Sequence, residues 1–137
     1  MAEFILGVDP GRRRVGVATA DLETRFARPL EVIDVRERDP FARIAELVTE
    51  MNVATVVVGR PLALDGSAGP AVEEQQRFVA HLRAATDATI EEFDERLTTV
   101  IAERSMQDAG KSARQRSSQR DAVAAQVLLQ DYLDTRR

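Results

Sequence analysis

The sequence predicts an α/β protein with a mixed five-stranded sheet and helices on both faces. An apolar segment near the N-terminus turns back on itself at a proline-glycine pair. Later segments alternate between strand and helix periodicity, and the final helical stretch is apolar around most of its circumference.

The first strand reads Phe4–Asp9 and the second Arg14–Ala20. Pro10-Gly11 joins them, because proline presets φ at one corner and glycine accepts positive φ at the next. Gly7, Gly11 and Gly16 keep bulk low around the Asp9 carboxylate. Pro29–Val35 alternates like a third strand. Asp39-Pro40 supplies a capping acid and a proline at the first helical position, and Phe41, Ile44, Ala45, Val48 and Met51 follow at helical spacing. Ala54–Gly59 is a near-continuous apolar run, as in a central strand covered on both faces.

A loop rich in turn formers, Arg60–Pro70, comes next, where α/β proteins place ligand-handling parts. Val72, Phe78, Val79 and Leu82 mark a second helix, with His81 as a peripheral packing or surface residue. Ala88–Phe93 is the fifth strand, ending at Asp94-Glu95-Arg96. Thr98 or Thr99 caps a third helix that runs to Gly110. A basic loop over Lys111–Ser118, expected to be mobile without nucleic acid, leads to a last, well-buried helix over Asp121–Leu133. This order fits the ribonuclease H-like architecture, which hosts nucleases, transposases and sugar kinases.

Composition narrows the chemistry. At 137 residues, with 44% hydrophobic and 31% charged residues, the chain reads as one globular domain over 1–137. The absence of cysteine excludes a disulfide framework, a thiol nucleophile and a Cys-based zinc site, and a single histidine leaves a Ser-His-Asp triad remote. No segment approaches the roughly 18 apolar residues of a membrane span, and the N-terminus lacks a signal-peptide pattern, so the expectation is a cytoplasmic protein. The net charge of −4 does not itself suggest a nucleic-acid partner, but the basic residues cluster. Arg12, Arg13 and Arg14 are contiguous, and Lys111, Arg114, Arg116 and Arg120 fill a stretch with no acid until Asp121. Either cluster could be a solvated loop; each also lies next to a candidate catalytic acid.

Three carboxylates sit at element ends: Asp9 after the first strand, Glu95 after the fifth, and Asp121 opening the final helix. With Asp9 central, the parallel strands deliver Asp9 and Glu95 to one edge. Clustered carboxylates are hard oxygen ligands suited to Mg²⁺ or Mn²⁺. Two such ions about 3.5–4 Å apart activate a water and stabilise the leaving oxygen of a phosphodiester without Cys or His. Structural alternatives stand beside each acid. Asp9 can serve the turn, Ser118-Gln119-Arg120-Asp121 fits a capping box, and Asp94 and Glu95 can pair with Arg96 at the surface.

Four segments, in order, resemble the YqgF family, also called RuvX, of RuvC-like Holliday junction resolvases. They are Asp9-Pro10-Gly11 through Ala18; Val58-Gly59-Arg60-Pro61-Leu62 with Asp65–Pro70; Asp94-Glu95-Arg96-Leu97-Thr98-Thr99; and Asp121 with Ala124-Ala125 and Leu128–Leu133. The chain departs from the family's usual residues at Arg60, Ala63 and Arg120, leaving the acids intact. The resemblance implies a metal-dependent nuclease with Asp9, Glu95 and Asp121 as catalytic metal ligands for Mg²⁺ or Mn²⁺. It implies maturation of the 5′ end of the small-subunit rRNA precursor (pre-16S rRNA) or, alternatively, resolution of four-way DNA junctions. By position, Arg14 and the basic stretch with Lys111, Arg114, Arg116 and Arg120 hold phosphates, Arg96 orients the site, and the Gly59–Pro70 loop shapes access.

The expected partner is therefore nucleic acid, bound by a monomer or a homodimer. Junction resolution requires two linked active sites, and the sequence reveals no dimer surface. An actin-like phosphotransferase needs a second domain that this length does not supply. A non-enzymatic binding module remains a separate reading, since phosphate positioning and catalysis draw on the same basic residues. One Tyr, five Phe and no Trp leave little for base stacking, so backbone shape should dominate recognition.

Overall fold

The structure, a computed structural model, describes residues 3–60, 70–94 and 113–135. Five strands form one sheet in the order β3-β2-β1-β4-β5: β1 (Phe4–Pro10), β2 (Arg14–Asp21), β3 (Ala27–Asp34), β4 (Val53–Arg60) and β5 (Thr89–Asp94). β1 pairs antiparallel with β2 and β2 with β3, whereas β1, β4 and β5 run parallel. Three described helices pack on it: α1 (Pro40–Met51), α2 (Pro70–Ala85) and α3 (Ala113–Thr135). The sheet is mixed and five-stranded, as the sequence predicts, with β1 at its centre.

Strand alternation divides the core into two layers. Leu6, Val8, Val56 and Val58 face α1 and α2, where Ile44, Leu47, Val79 and Leu82 are buried. Ile5, Ala18, Ala20 and Val57 face α3 and meet Ala125, Leu129, Tyr132 and Leu133. Each fully buried Leu or Val is worth about 1.5–3 kcal/mol of transfer free energy. α1 begins where the sequence places it: Pro40 occupies the first turn and the Asp39 carboxylate accepts from the Phe41 N–H at 3.0 Å. Arg43 ties this helix to β3 through two bonds to Glu31, of 2.8 and 3.0 Å. His81 is exposed, its ring 5.3 Å from that of Phe41.

Four expectations change. Gly11 is not in the left-handed region; its N–H donates to the Arg14 carbonyl at 3.0 Å, and a Cβ there would crowd that same oxygen. α3 starts at Ala113 rather than Asp121, so residues 113–118 are helical rather than a mobile loop, and Arg114, Arg116 and Arg120 stand on a helix. Asp121 therefore lies inside α3 and closes no capping box. α3 is also less enclosed than its composition suggests, since it covers one sheet face and leaves Val123 and Val127 half-exposed. The fourth change concerns Gly7 and Gly16. They do not open space around Asp9: a Cβ on Gly7 would lie 2.8 Å from Leu129 Cβ, and one on Gly16 would overlap the Asp121 carbonyl oxygen. These glycines let α3 lie against the sheet. The helix expected over 98–110, Lys111 and residues 61–69 of the Gly59–Pro70 loop fall outside the described residues.

Candidate metal and phosphate site

Register and close packing bring the two described acids together. Asp9 pairs with Gly16 across the β1–β2 ladder, and the Asp121 backbone sits on Gly16. Odd-numbered residues of β1 face α3, because Ile5 packs in that layer and Gly7 touches Leu129. The backbone alternation thus sets Asp9 on the side where α3 carries Asp121, close enough for its charge to act on Asp121.

The β1–β2 turn spreads three arginines over three acids from different elements. Arg12 reaches Glu74 of α2 at 3.3 Å, Arg13 reaches Asp34 at the end of β3 at 3.9 Å, and Arg14 Nε lies 3.1 Å from Asp121 Oδ2. The first pair is exposed and the second is long, with Arg13 exposed; each contributes at most about 1 kcal/mol. The third is more enclosed, its side chains 33% and 24% exposed. Asp121 Oδ2 is buried and accepts no hydrogen bond, so its contact with Arg14 is an ion pair off the hydrogen-bond axis.

Burial is the leading influence on Asp121 and holds its carboxyl above the ordinary Asp range; Arg14 pulls it back, Asp9 pushes it further up, and Arg120 lowers it. An acid with a raised folded pKa binds more protons folded than unfolded between its two pKa values. Its contribution to stability is therefore intact below the ordinary Asp range and is lost as pH rises through the folded pKa. Asp121→Asn should consequently melt higher than the parent in EDTA at pH 7, and the difference should close on acidification below the carboxylate range. Equal melting temperatures at pH 7 would mean that Arg14 compensates the buried charge in full.

The remaining sequence-predicted residues are placed less completely. β4 and β5 end level with each other, with Arg60 paired to Asp94, at the same edge as Pro10. Glu95 follows β5 directly; Glu95, Arg96 and Lys111 lie outside the described residues. Arg120 is half-buried one residue before Asp121, and Arg114 and Arg116 occupy the first turns of α3 by backbone position. Among the described residues no three His, Cys, Asp or Glu side chains form a group that could hold a metal. The two acids present still suit a hard divalent cation, since one presents a buried carboxylate oxygen without a hydrogen bond and both are oxygen donors. The sequence reading assigned Gly16 to open space beside Asp9, although a glycine between Val15 and Val17 in a strand also signals close backbone approach.

A central β1 carrying an acid to the sheet edge, between antiparallel β2 and parallel β4 with β5 beyond, and faced by α3, is the ribonuclease H-like fold. Solved structures share it. The RuvC of Thermus thermophilus in complex with a Holliday junction substrate superposes with a TM-score of 0.60 at 17% identity, over 98% of this chain and 95% of that one. The fowlpox virus Holliday junction resolvase gives 0.58 at 11% identity, over 96% and 99%. At these identities the likeness is one of fold.

The chain belongs to the RuvX family, described as Holliday junction resolvase, whose model matches residues 3–135. A Chloroflexus aggregans protein is 47% identical over 136 residues, covering 98% of this chain and 96% of its own length. An Anaeromyxobacter sp. (strain Fw109-5) protein is 46% identical over 132 residues, covering 96% of each. Both bear the name of a candidate pre-16S rRNA nuclease.

Proposed function

We propose that this chain is a divalent-metal-dependent nuclease that hydrolyses phosphodiester bonds in structured RNA and processes the 5′ end of pre-16S rRNA. The observation that carries the reading is the approach of Asp9 and Asp121, far apart in sequence, at one sheet edge, with Arg14 ion-paired to Asp121. Relatives at 47% and 46% identity with the name of a pre-16S rRNA nuclease support the substrate.

Asp9, Glu95 and Asp121 would hold Mg²⁺ or Mn²⁺, with Glu95 following the strand that ends at this edge. A divalent cation held there would supply Lewis acidity for the attacking water and the leaving oxygen. Arg14, Arg96, Lys111, Arg114, Arg116 and Arg120 grip backbone phosphates and align the scissile bond, because guanidinium forks match phosphate geometry. Buried Val8, Val15 and Val17 fix the strands on which Asp9 and Arg14 stand. On this reading residues 1–137 form one nuclease domain working in the cytoplasm; no described helix is long and apolar enough to cross a membrane.

The family description favours a second reading, a homodimeric resolvase of four-way DNA junctions. One assay separates the two. Purified protein is given a 5′-extended pre-16S rRNA and a four-way junction, with Mn²⁺ or Mg²⁺ and with EDTA, and its mass is measured by sedimentation. Metal-dependent cutting of the RNA by a monomer supports the first reading. Paired symmetric cuts in the junction by a dimer would replace it with the second.

A further inference from the structure

Arg14 and its two neighbours are not equivalent. All three are consecutive, but among the described residues only Arg14 is ion-paired to an acid of the proposed ligand set. Its backbone is fixed: it opens β2, pairs with Asp34 of β3, and accepts the Gly11 N–H at 3.0 Å. Its guanidinium is ion-paired to the buried Asp121 Oδ2, and its side chain is one-third exposed to solvent. The main chain is therefore anchored while the charged end is within reach of a phosphate.

We infer that Arg14 is the resident counter-ion of Asp121, competing with the divalent cation for that carboxylate and releasing it when a substrate phosphate draws the guanidinium away. The inference rests on reading Asp9 and Asp121 as metal ligands. Carboxylate–metal contacts are shorter than the 3.1 Å that Arg14 Nε keeps from Asp121 Oδ2, so a cation bound at that oxygen meets a like charge in the space Arg14 fills. A phosphate offers the guanidinium two oxygens in bidentate geometry, an arrangement that planar guanidinium forks match. Metal and nucleic acid then favour each other's binding, and by linkage the factor is the same in both directions.

The test measures free Mn²⁺ by electron paramagnetic resonance during titration of the full chain, without turnover. Arg14→Gln should bind Mn²⁺ at least about fivefold more tightly than the parent, the lower end of typical coupling. Arg14→Lys, which keeps the charge without the Nε contact, should fall between them. Arg13→Gln removes the same charge one residue away, from a side chain paired to Asp34, and should stay within about twofold of the parent. An RNA added and read on a time scale shorter than turnover, with its own Mn²⁺ uptake subtracted, should tighten Mn²⁺ binding by the parent more than by Arg14→Gln.

The inference is overturned if Arg14→Gln binds no more tightly, or if Arg13→Gln gains as much, which would be general charge relief. Asp121→Asn separates the levels. Mn²⁺ binding that depends on Asp121 but ignores Arg14 sinks this inference alone. Binding indifferent to Asp121 removes the ligand assignment and the inference with it.

Discussion

Asp9→Asn is expected to abolish metal-dependent cleavage while leaving the fold and nucleic-acid binding in place. Asparagine matches the shape of aspartate, and Asp9 is half-buried at the end of a strand whose core contacts come from Ile5, Leu6 and Val8. The change removes one negative charge and replaces a hard anionic donor by a neutral amide. The loss in cleavage rate should be about 10²- to 10³-fold, the scale of removing one preorganised charge-stabilising group from a reaction centre. Affinity for RNA should hold or improve, because phosphates lose a repelling neighbour. Parent and variant are compared with Mn²⁺ and with EDTA, and circular dichroism checks the fold. A variant that cuts within tenfold of the parent would return Asp9 to the role of a turn residue.

The sheet was legible because strand alternation and the Ala54–Gly59 run are local patterns that burial enforces, and the α1 start because a capping acid before proline has few other uses. Where reading failed, polar residues had more than one local meaning. Arg114, Gln115, Arg116 and Gln119 are competent helix formers, so a stretch that looked like a basic loop extends α3 by two turns without an apolar face to announce it. Gly16 looked like spare room beside an acid because the helix that fills the room comes more than a hundred residues later. The same separation hides the Arg14–Asp121 ion pair: no spacing rule links residues brought together only by a sheet and a returning helix. Asp9 and Asp121 could be suspected from the element ends expected for them, although Asp121 stands inside α3, and their meeting depends on how closely α3 approaches β2.

That dependence gives Gly16→Ala the largest expected effect on stability. A methyl group at Gly16 would overlap the Asp121 carbonyl oxygen and lie 2.9 Å from the Ala122 nitrogen, both backbone atoms of a helix that cannot yield as a side chain would. Relief requires α3 to lift from the sheet where Ala122, Ala125 and Leu128 are buried. Overpacking of this kind costs about 3 kcal/mol or more, and for a chain of this size the melting temperature should fall by about 10 °C or more. Gly7→Ala meets the Leu129 side chain first, at 2.8 Å, and should cost less because that overlap is smaller. Below its melting temperature, Gly16→Ala should also cleave far more slowly than its folded fraction explains. A displacement of about 1 Å in a reacting group can cost 10²-fold, and lifting α3 moves Asp121 away from Asp9. Thermal melts and rates per folded molecule, taken on both variants, check the pair of effects. If Gly16→Ala melts within about 2 °C of the parent, under the shift expected for 1 kcal/mol, close contact between α3 and β2 is not what sets the two carboxylates together.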